Sequence, residues 1–468
     1  MMRDFQFRTF PPLTRRELLR VGGISVIGSF LTSAFRPFNV RAQKKIQPLA
    51  TAKKVIFLFL DGGISQLDSF DAKEGKWTPA EFDIRSFAND IKLPYGLFKN
   101  LPGILDKVAV VRSMNAWDAV HGRAQYYVQT GHPLNLALAK EVPSIGSVIC
   151  HETAAGRKDT DSLPAFVAMN ATGNQAGLIN QGFLPAKFGP MSLSVKEGPP
   201  NLSPKPGTED TFRRRWQFLQ QLDESLRSGQ SGHGRSFIDY HEYYKGAFAI
   251  MNDPRIGQIF RIEEEERQRY GNSYLGNSLI LARNLVASDA GTRFVLVGFG
   301  GWDFHTDIYT AGKRNHQTLC RELDPAYTNL IRDLAGTPSR TDKNKSLLDD
   351  TLVVCISEFG RTPGDITEGR VGREHYMQAG CGLFAGGGVK GGRVIGRTDD
   401  VGGKILDFGW QADRPIYIED VAATIYSAMG IDWTKTIENT PSGRAFHYIE
   451  PASGTQYVTF EPVGEMFS

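Results

Sequence analysis

Residues 293–307 read Arg-Phe-Val-Leu-Val-Gly-Phe-Gly-Gly-Trp-Asp-Phe-His-Thr-Asp. The unbroken apolar run 294–297 suits a strand buried on both faces, and the glycines after it suit a turn. Asp303 and His305 then stand two residues apart, so in extended chain their side chains point the same way. Two readings are open for this pair. Asp303 caps a turn and His305 donates to it, or both reach one cation with Asp307 close behind.

The pattern recurs along the chain. The run 55–60 leads into Asp61-Gly62-Gly63, and the run 352–356 leads into Ser357-Glu358-Phe359-Gly360-Arg361. Further apolar runs lie at 108–111, 165–169 and 382–385, separated by long helix-compatible stretches. Continuous rather than alternating apolarity predicts a parallel sheet covered by helices. In such sheets the ligand site lies beyond the carboxyl ends of the strands. One strand-end acid is usually a helix cap. Three, with glycines beside them and two histidines in reach, argue for a shared site. The expected metal set is Asp61, Asp303, His305, Glu358 and His375, the last in Arg373-Glu374-His375. Alone, His375 reads as a surface or core histidine rather than a ligand. Carboxylates and imidazoles suit zinc, manganese or iron and, with more oxygens, magnesium or calcium. One or two divalent ions are expected, and a pair would clamp a phosphate or sulfate group and activate water.

Another strand-like run ends at Val111-Arg112-Ser113-Met114, and His121-Gly122-Arg123 opens a helix-like segment that runs to Thr130-Gly131. A helix N-terminus presents free N–H groups and a positive dipole end, which favours an anionic substrate. His121 is a candidate ligand, nucleophile or general acid/base, and Arg123 a candidate oxyanion binder. The alternative is a capping histidine beside a solvated arginine. There is no Gly-x-Ser-x-Gly elbow and no Walker A loop. The glycines around Lys390 read as a turn, because no Ser or Thr follows the lysine.

The chain has 468 residues, of which 41% are hydrophobic and 22% charged, enough for one large α/β sheet with insertions or for two domains. Thr14-Arg15-Arg16-Glu17-Leu18-Leu19-Arg20 is a twin-arginine motif followed by a glycine-containing apolar stretch. Val40-Arg41-Ala42 places small residues for cleavage after Ala42. Residues 1–42 are therefore expected to be an export signal read by the twin-arginine translocase, and 43–468 the mature domain. The expected location is periplasmic or extracellular, or membrane-tethered should the signal stay attached. Such export carries folded chains, which suits a protein that loads its metal beforehand. Residues 1–42 hold seven arginines against Asp4 and Glu17, so the remainder carries 47 basic and 49 acidic side chains, a net −2. That balance gives no basic excess for nucleic acid. The four cysteines include no Cys-x-x-Cys, and buried free thiols are expected. Residues 198–236, rich in Pro, Gly and Ser at both ends, break the strand pattern, and a cap or insertion is expected within about 170–290.

Taken together these residues resemble the alkaline phosphatase, sulfatase and phosphoglycerate mutase superfamily, and within it the exported bacterial family called domain of unknown function 1501. The marks are Asp61-Gly62-Gly63, Pro143-Ser144-Ile145-Gly146, Gly301-Trp302-Asp303-Phe304-His305, Ser357-Glu358-Phe359-Gly360-Arg361 and Arg373-Glu374-His375. The segment from Glu419 to Asp432, with Gly443-Arg444 after it, resembles the C-terminal signature of sulfatases. The resemblance implies an α/β, alkaline-phosphatase-like sandwich with a mostly parallel central sheet, helices on both faces and a metal site at the carboxyl edge. It implies an anionic ester as substrate. It also exposes two departures. Glu358-Phe359 stands where the superfamily has Asp-His. Counting back nine residues from Thr130 to the nucleophile position gives His121, and the sulfatase arginine falls on Gln125. Ser113 and Ser65 are the nearest hydroxyls. The chain is expected to be a metal-dependent hydrolase of phosphate or sulfate esters, or a non-catalytic metal-binding or assembly protein that keeps the fold.

Overall fold

The computed structural model describes residues 47–171, 180–195, 204–205, 207–228, 235–366, 371–449 and 458–468. The expected export signal at 1–42 lies outside the described residues.

Eight strands form the central sheet. They are β1 (Lys54–Phe59), β2 (Val108–Met114), β3 (Phe166–Met169), β4 (Met191–Leu193), β5 (Phe294–Gly298), β6 (Thr351–Ile356), β7 (Gly380–Ala385) and β8 (Arg393–Ile395). Their order across the sheet is β8-β2-β7-β6-β1-β5-β3-β4. Every pairing is parallel except those of β7, which runs antiparallel to both β2 and β6. The six expected apolar runs all lie on strands. The two further strands, β4 and β8, are three residues long and sit at the edges, too short to mark a pattern.

Each central strand feeds two cores, as continuous apolarity requires. Ile56, Leu58, Val295, Val297, Val353 and Cys355 face helices Tyr274–Ala287 and His316–Gly336. Val55, Phe57, Phe59, Phe294, Leu296, Val354 and Ile356 face helices His121–Thr130, Ile145–Glu152 and Ile418–Ala428. Each fully buried aliphatic side chain contributes roughly 1.5–3 kcal/mol. This is the α/β sandwich with a mostly parallel sheet that the superfamily resemblance implies. Within the expected cap region, none of the described side chains of helices Glu209–Ser228 and Arg235–Asn252 is fully buried in either core, whereas Tyr274–Ala287 is built into the first. All four cysteines are buried and free. Among the described residues, no helix is long and apolar enough to cross a membrane.

The topology gathers chemistry at one edge. The carboxyl ends of β1, β5 and β6 lie side by side, and the antiparallel β7 starts at that same edge, with Gly380 opposite Met114. The chain entering β7 therefore brings its preceding residues, including His375, to the strand ends.

Candidate metal centre

Backbone contacts lock the three acidic strand ends together. The Gly301 N–H donates to the Asp61 carbonyl at 3.1 Å, and the Gly62 N–H donates to Glu358 Oε1 at 2.9 Å. Gly62 has φ +116°, and a Cβ there would stand 2.8 Å from the Asp303 nitrogen. Only glycine lets the end of β1 approach Asp303 this closely. A short antiparallel ladder, Gly360–Arg361 with His375–Tyr376, sets His375 opposite Arg361.

Asp303 is the hub. Its Oδ1 lies 2.9 Å from His305 Nε2, 3.2 Å from His375 Nε2, 3.2 Å from His121 Nε2 and 2.6 Å from Arg361 Nη2. Each imidazole is held from behind by an outer acceptor. His121 Nδ1 donates to Glu358 Oε1 at 2.8 Å, His305 Nδ1 to Glu374 Oε2 at 2.7 Å and His375 Nδ1 to the Ala119 carbonyl at 2.6 Å. A carbonyl or carboxylate only accepts, so those contacts place a proton on each Nδ1 and turn each Nε2 toward Asp303. His305 Nε2 and His375 Nε2 are 3.0 Å apart. Two lone pairs do not face each other at that distance without a proton or cation to share. His121 Nε2 is buried and makes no hydrogen bond of good geometry, despite its ion pair with Asp303.

These donors fit a divalent cation. His121, Asp303 and His375 offer ligand atoms all within 4.8 Å of one another. His305 Nε2 joins them through Asp303 and His375. Ligating histidines are usually oriented by an acceptor on their other nitrogen, the arrangement found three times here.

The electrostatics are those of a crowded anionic edge. Burial, then the Glu358 carboxylate, lift Asp61 to about 6 against a hydrogen bond from the Gln125 amide. Burial disfavours a charged His121, but its contacts with Asp303 and Glu358 outweigh this and raise it to about 9. Burial also acts on Asp303, yet His121 and Arg361 hold it far below the usual carboxylate range. Burial and neighbouring cations push His375 down.

The expected residues divide into groups. Asp303, His305, His375 and His121 converge. Glu358 reaches the cluster through His121, its side chain fully buried. Asp61 stands at the same edge with Gln125 on its Oδ1. Arg123 does not converge with them: its side chain is 55% exposed and pairs with Asp118. The guanidinium of the site belongs to Arg361, which is 1% exposed and also donates to the carbonyls of Gly62, Gly63 and Arg373. Arg361 and Glu374 were missed as functional residues, although both stand inside the quoted motifs. Ser65 and Ser113 are spent elsewhere, donating to Asp68 at 2.6 Å and to the Phe408 carbonyl at 2.8 Å.

The family described as "Protein of unknown function (DUF1501)" matches residues 52–454. The chain belongs to that family. No curated protein matches it. Solved structures similar to this DUF1501 chain include a protein in the alkaline phosphatase superfamily from Vibrio parahaemolyticus, at 13% identity and TM-score 0.38, covering 90% of this chain and 76% of that one. A phosphonate monoester hydrolase from Silicibacter pomeroyi is 12% identical with TM-score 0.37, covering 81% of this chain and 74% of that one. A lipoteichoic acid synthase from Listeria monocytogenes is 10% identical with TM-score 0.33, covering 82% and 74%.

Proposed function

We propose that this DUF1501 chain is an exported, metal-dependent hydrolase of phosphate or sulfate esters. One observation carries the reading: three imidazoles, each anchored at Nδ1, turn Nε2 toward one Asp303 oxygen. His121, Asp303, His305 and His375 would hold the ion, with Glu358 and Glu374 orienting two of the histidines. Metal chemistry at this point supplies charge stabilisation for ester oxygens and activation of water.

The chain's own residues do the rest. Arg361 fixes Asp303 in line with the histidines. Gln125 fixes Asp61, which adds a second carboxylate at the same edge. Helix His121–Thr130 opens at the site with no side-chain cap, so its first turn favours a bound oxyanion. Neither Ser65 nor Ser113 replaces the missing nucleophile, which supports attack by water rather than through a covalent intermediate. The twin-arginine motif supports export.

The test uses protein purified without a chelating tag. Metal content is measured by mass spectrometry, and turnover on a panel of aryl phosphates, phosphodiesters and aryl sulfates. Bound metal and turnover in the wild type, both lost in Asp303→Ala, are expected. A metal-free wild type that Asp303→Ala does not alter sinks the reading. The absent nucleophile favours a second reading, a metal-binding protein without activity. Bound metal without turnover on any substrate of the panel selects it.

A further inference from the structure

We infer that Arg373, locked to Asp68, is a positioning residue that sets Asp303, His305 and His375 at their mutual spacing; this rests on the metal-centre reading above. Both side chains of the pair are buried, and Arg373 Nε lies 2.7 Å from Asp68 Oδ2. Arg373 Nη1 donates to the carbonyls of Thr362 at 2.9 Å and Gly364 at 2.7 Å, and Nη2 to the Tyr309 hydroxyl oxygen at 3.3 Å. Asp68 is bound from two further sides. The Ser65 hydroxyl donates to its Oδ2 at 2.6 Å and the Tyr309 hydroxyl to its Oδ1 at 2.7 Å.

The backbone of the same residue binds the segments that carry the ligands. The Arg373 N–H donates to the Phe304 carbonyl at 2.9 Å, and Phe304 stands between Asp303 and His305. The Arg373 carbonyl accepts from Arg361 Nη1 at 3.0 Å, while Arg361 Nη2 holds Asp303. The next two residues are Glu374, which anchors His305, and His375 itself. Just before them, a Cβ on Gly372 would stand 2.1 Å from the His305 backbone. Arg373 therefore joins four pieces of chain: the Gln66–Asp68 turn, the Asp303–His305 stretch, the segment from Arg361 to Gly364 and the His375 ladder.

Stability alone is a poor reason for such a pair. Taking a guanidinium and a carboxylate out of water offsets most of their attraction, and apolar side chains of like volume often hold a fold as well. What the pair adds is direction. The planar fork of Arg373 meets Asp68, Tyr309 and two carbonyls at once, in a geometry that no apolar residue reproduces. A shift of the chain at residue 373 moves His375 directly, and moves Asp303 and His305 through Arg361 and Phe304.

The test loads chelator-stripped full chain with Co²⁺, an ion suited to imidazole ligands whose visible absorption bands report ligand geometry. Affinity is read by competition with a metal-binding dye, and stability by urea unfolding of the metal-free protein. Asp68→Asn and Arg373→Gln are compared with wild type, and Leu334→Ala, in the first core near the end of helix His316–Gly336, is the control for instability. Both ion-pair variants should lose about tenfold or more in Co²⁺ affinity and change the bands. Leu334→Ala should lower the urea midpoint and leave both metal readouts unchanged. If either ion-pair variant fails to fold, Tyr309→Phe, which takes one hydroxyl from Asp68, replaces it and should change the bands with a smaller loss of affinity. Wild type that takes up no Co²⁺ refutes the metal centre itself. Wild-type uptake with bands and affinity unchanged in either folded variant, or changed as much by Leu334→Ala, overturns the positioning role alone.

Discussion

The two outer carboxylates give the most discriminating test of the metal centre, because they do similar jobs in different surroundings. Glu374 holds His305 at 2.7 Å with its side chain 39% exposed, while Glu358 holds His121 at 2.8 Å with none exposed. Removing an outer-shell acceptor typically weakens metal binding by about 10- to 100-fold. Water can replace part of the Glu374 contact, so Glu374→Gln should sit near the lower end, about tenfold or ~1.4 kcal/mol. Nothing replaces Glu358. Its carboxylate serves the Gly62 N–H and His121 Nδ1 together. A glutamine keeps one oxygen at the Oε1 position for both donors, but it sets an NH₂ at the Oε2 position, 3.1 Å from the Gly62 N–H, and removes the negative charge beside His121. Glu358→Gln should approach a 100-fold loss, ~2.7 kcal/mol. The assay is calorimetric titration of chelator-stripped protein with Zn²⁺ or Mn²⁺ at fixed pH, with circular dichroism to establish that each variant is folded. The reasoning is refuted if Glu374→Gln loses more affinity than Glu358→Gln, or if neither folded variant differs from wild type.

Further outcomes follow from other parts of the molecule. Gly62→Ala forces a Cβ against the Asp303 backbone in a left-handed conformation, so it should lower metal affinity and destabilise the fold by ~2 kcal/mol or more; unchanged denaturant midpoint and affinity would contradict this. Arg361→Met leaves the carbonyls of Gly62, Gly63 and Arg373 without their donor, and should cost ~3–5 kcal/mol in urea unfolding; a loss below ~1 kcal/mol counts against it. Burial lifts Glu419, hydrogen-bonded by Tyr127 and Trp117, to about 7 from the ordinary 4.5. The native state then binds more protons than the unfolded chain between those values, so this group's contribution falls as pH rises from about 4.5 to about 7, by at most ~3 kcal/mol. Glu419→Gln should remove that slope, and a difference from wild type that is flat between pH 5 and pH 7.5 argues against it. The four buried thiols, Cys381 pushed up to about 12, should ignore Ellman's reagent in the native protein and all react once it is unfolded.

The sheet was legible because its strands are buried twice over. Val55 to Leu60 and Phe294 to Val297 have no polar face to confuse with a helix, and the acids that end them fall at one edge once the pairing is parallel. Strand β8 was not legible. Arg393-Val394-Ile395 is three residues of edge strand, and its place beside β2 comes from tertiary pairing that no local pattern announces. The direction of β7 was hidden in the same way. Its run 382–385 reads as a buried strand in either direction, yet only the antiparallel course carries His375 to the carboxyl edge.

Within the site the same contrast has a sharper cause. His121 and Arg123 were paired because they adjoin in sequence, but both lie on helix His121–Thr130. Residues two apart on a helix point about 200° from each other, so His121 facing the metal centre turns Arg123 to solvent. The residue that shares His121's face is four positions on, and that is Gln125, whose amide holds Asp61. Helical period alone would have rejected Arg123 and chosen Gln125. Glu374 obeys the opposite rule. In the extended entry to the His375–Tyr376 ladder, neighbours alternate sides. His375 therefore meets Asp303 directly, while Glu374 reaches the back of His305. A motif such as Arg373-Glu374-His375 thus supplies a ligand and the anchor for a different ligand. The two carboxylate anchors, Glu358 and Glu374, belong to the chain segments that flank Arg361. Arg361 binds Asp303 between them, so one stretch of chain fixes the orientation of two histidines and the aspartate they share.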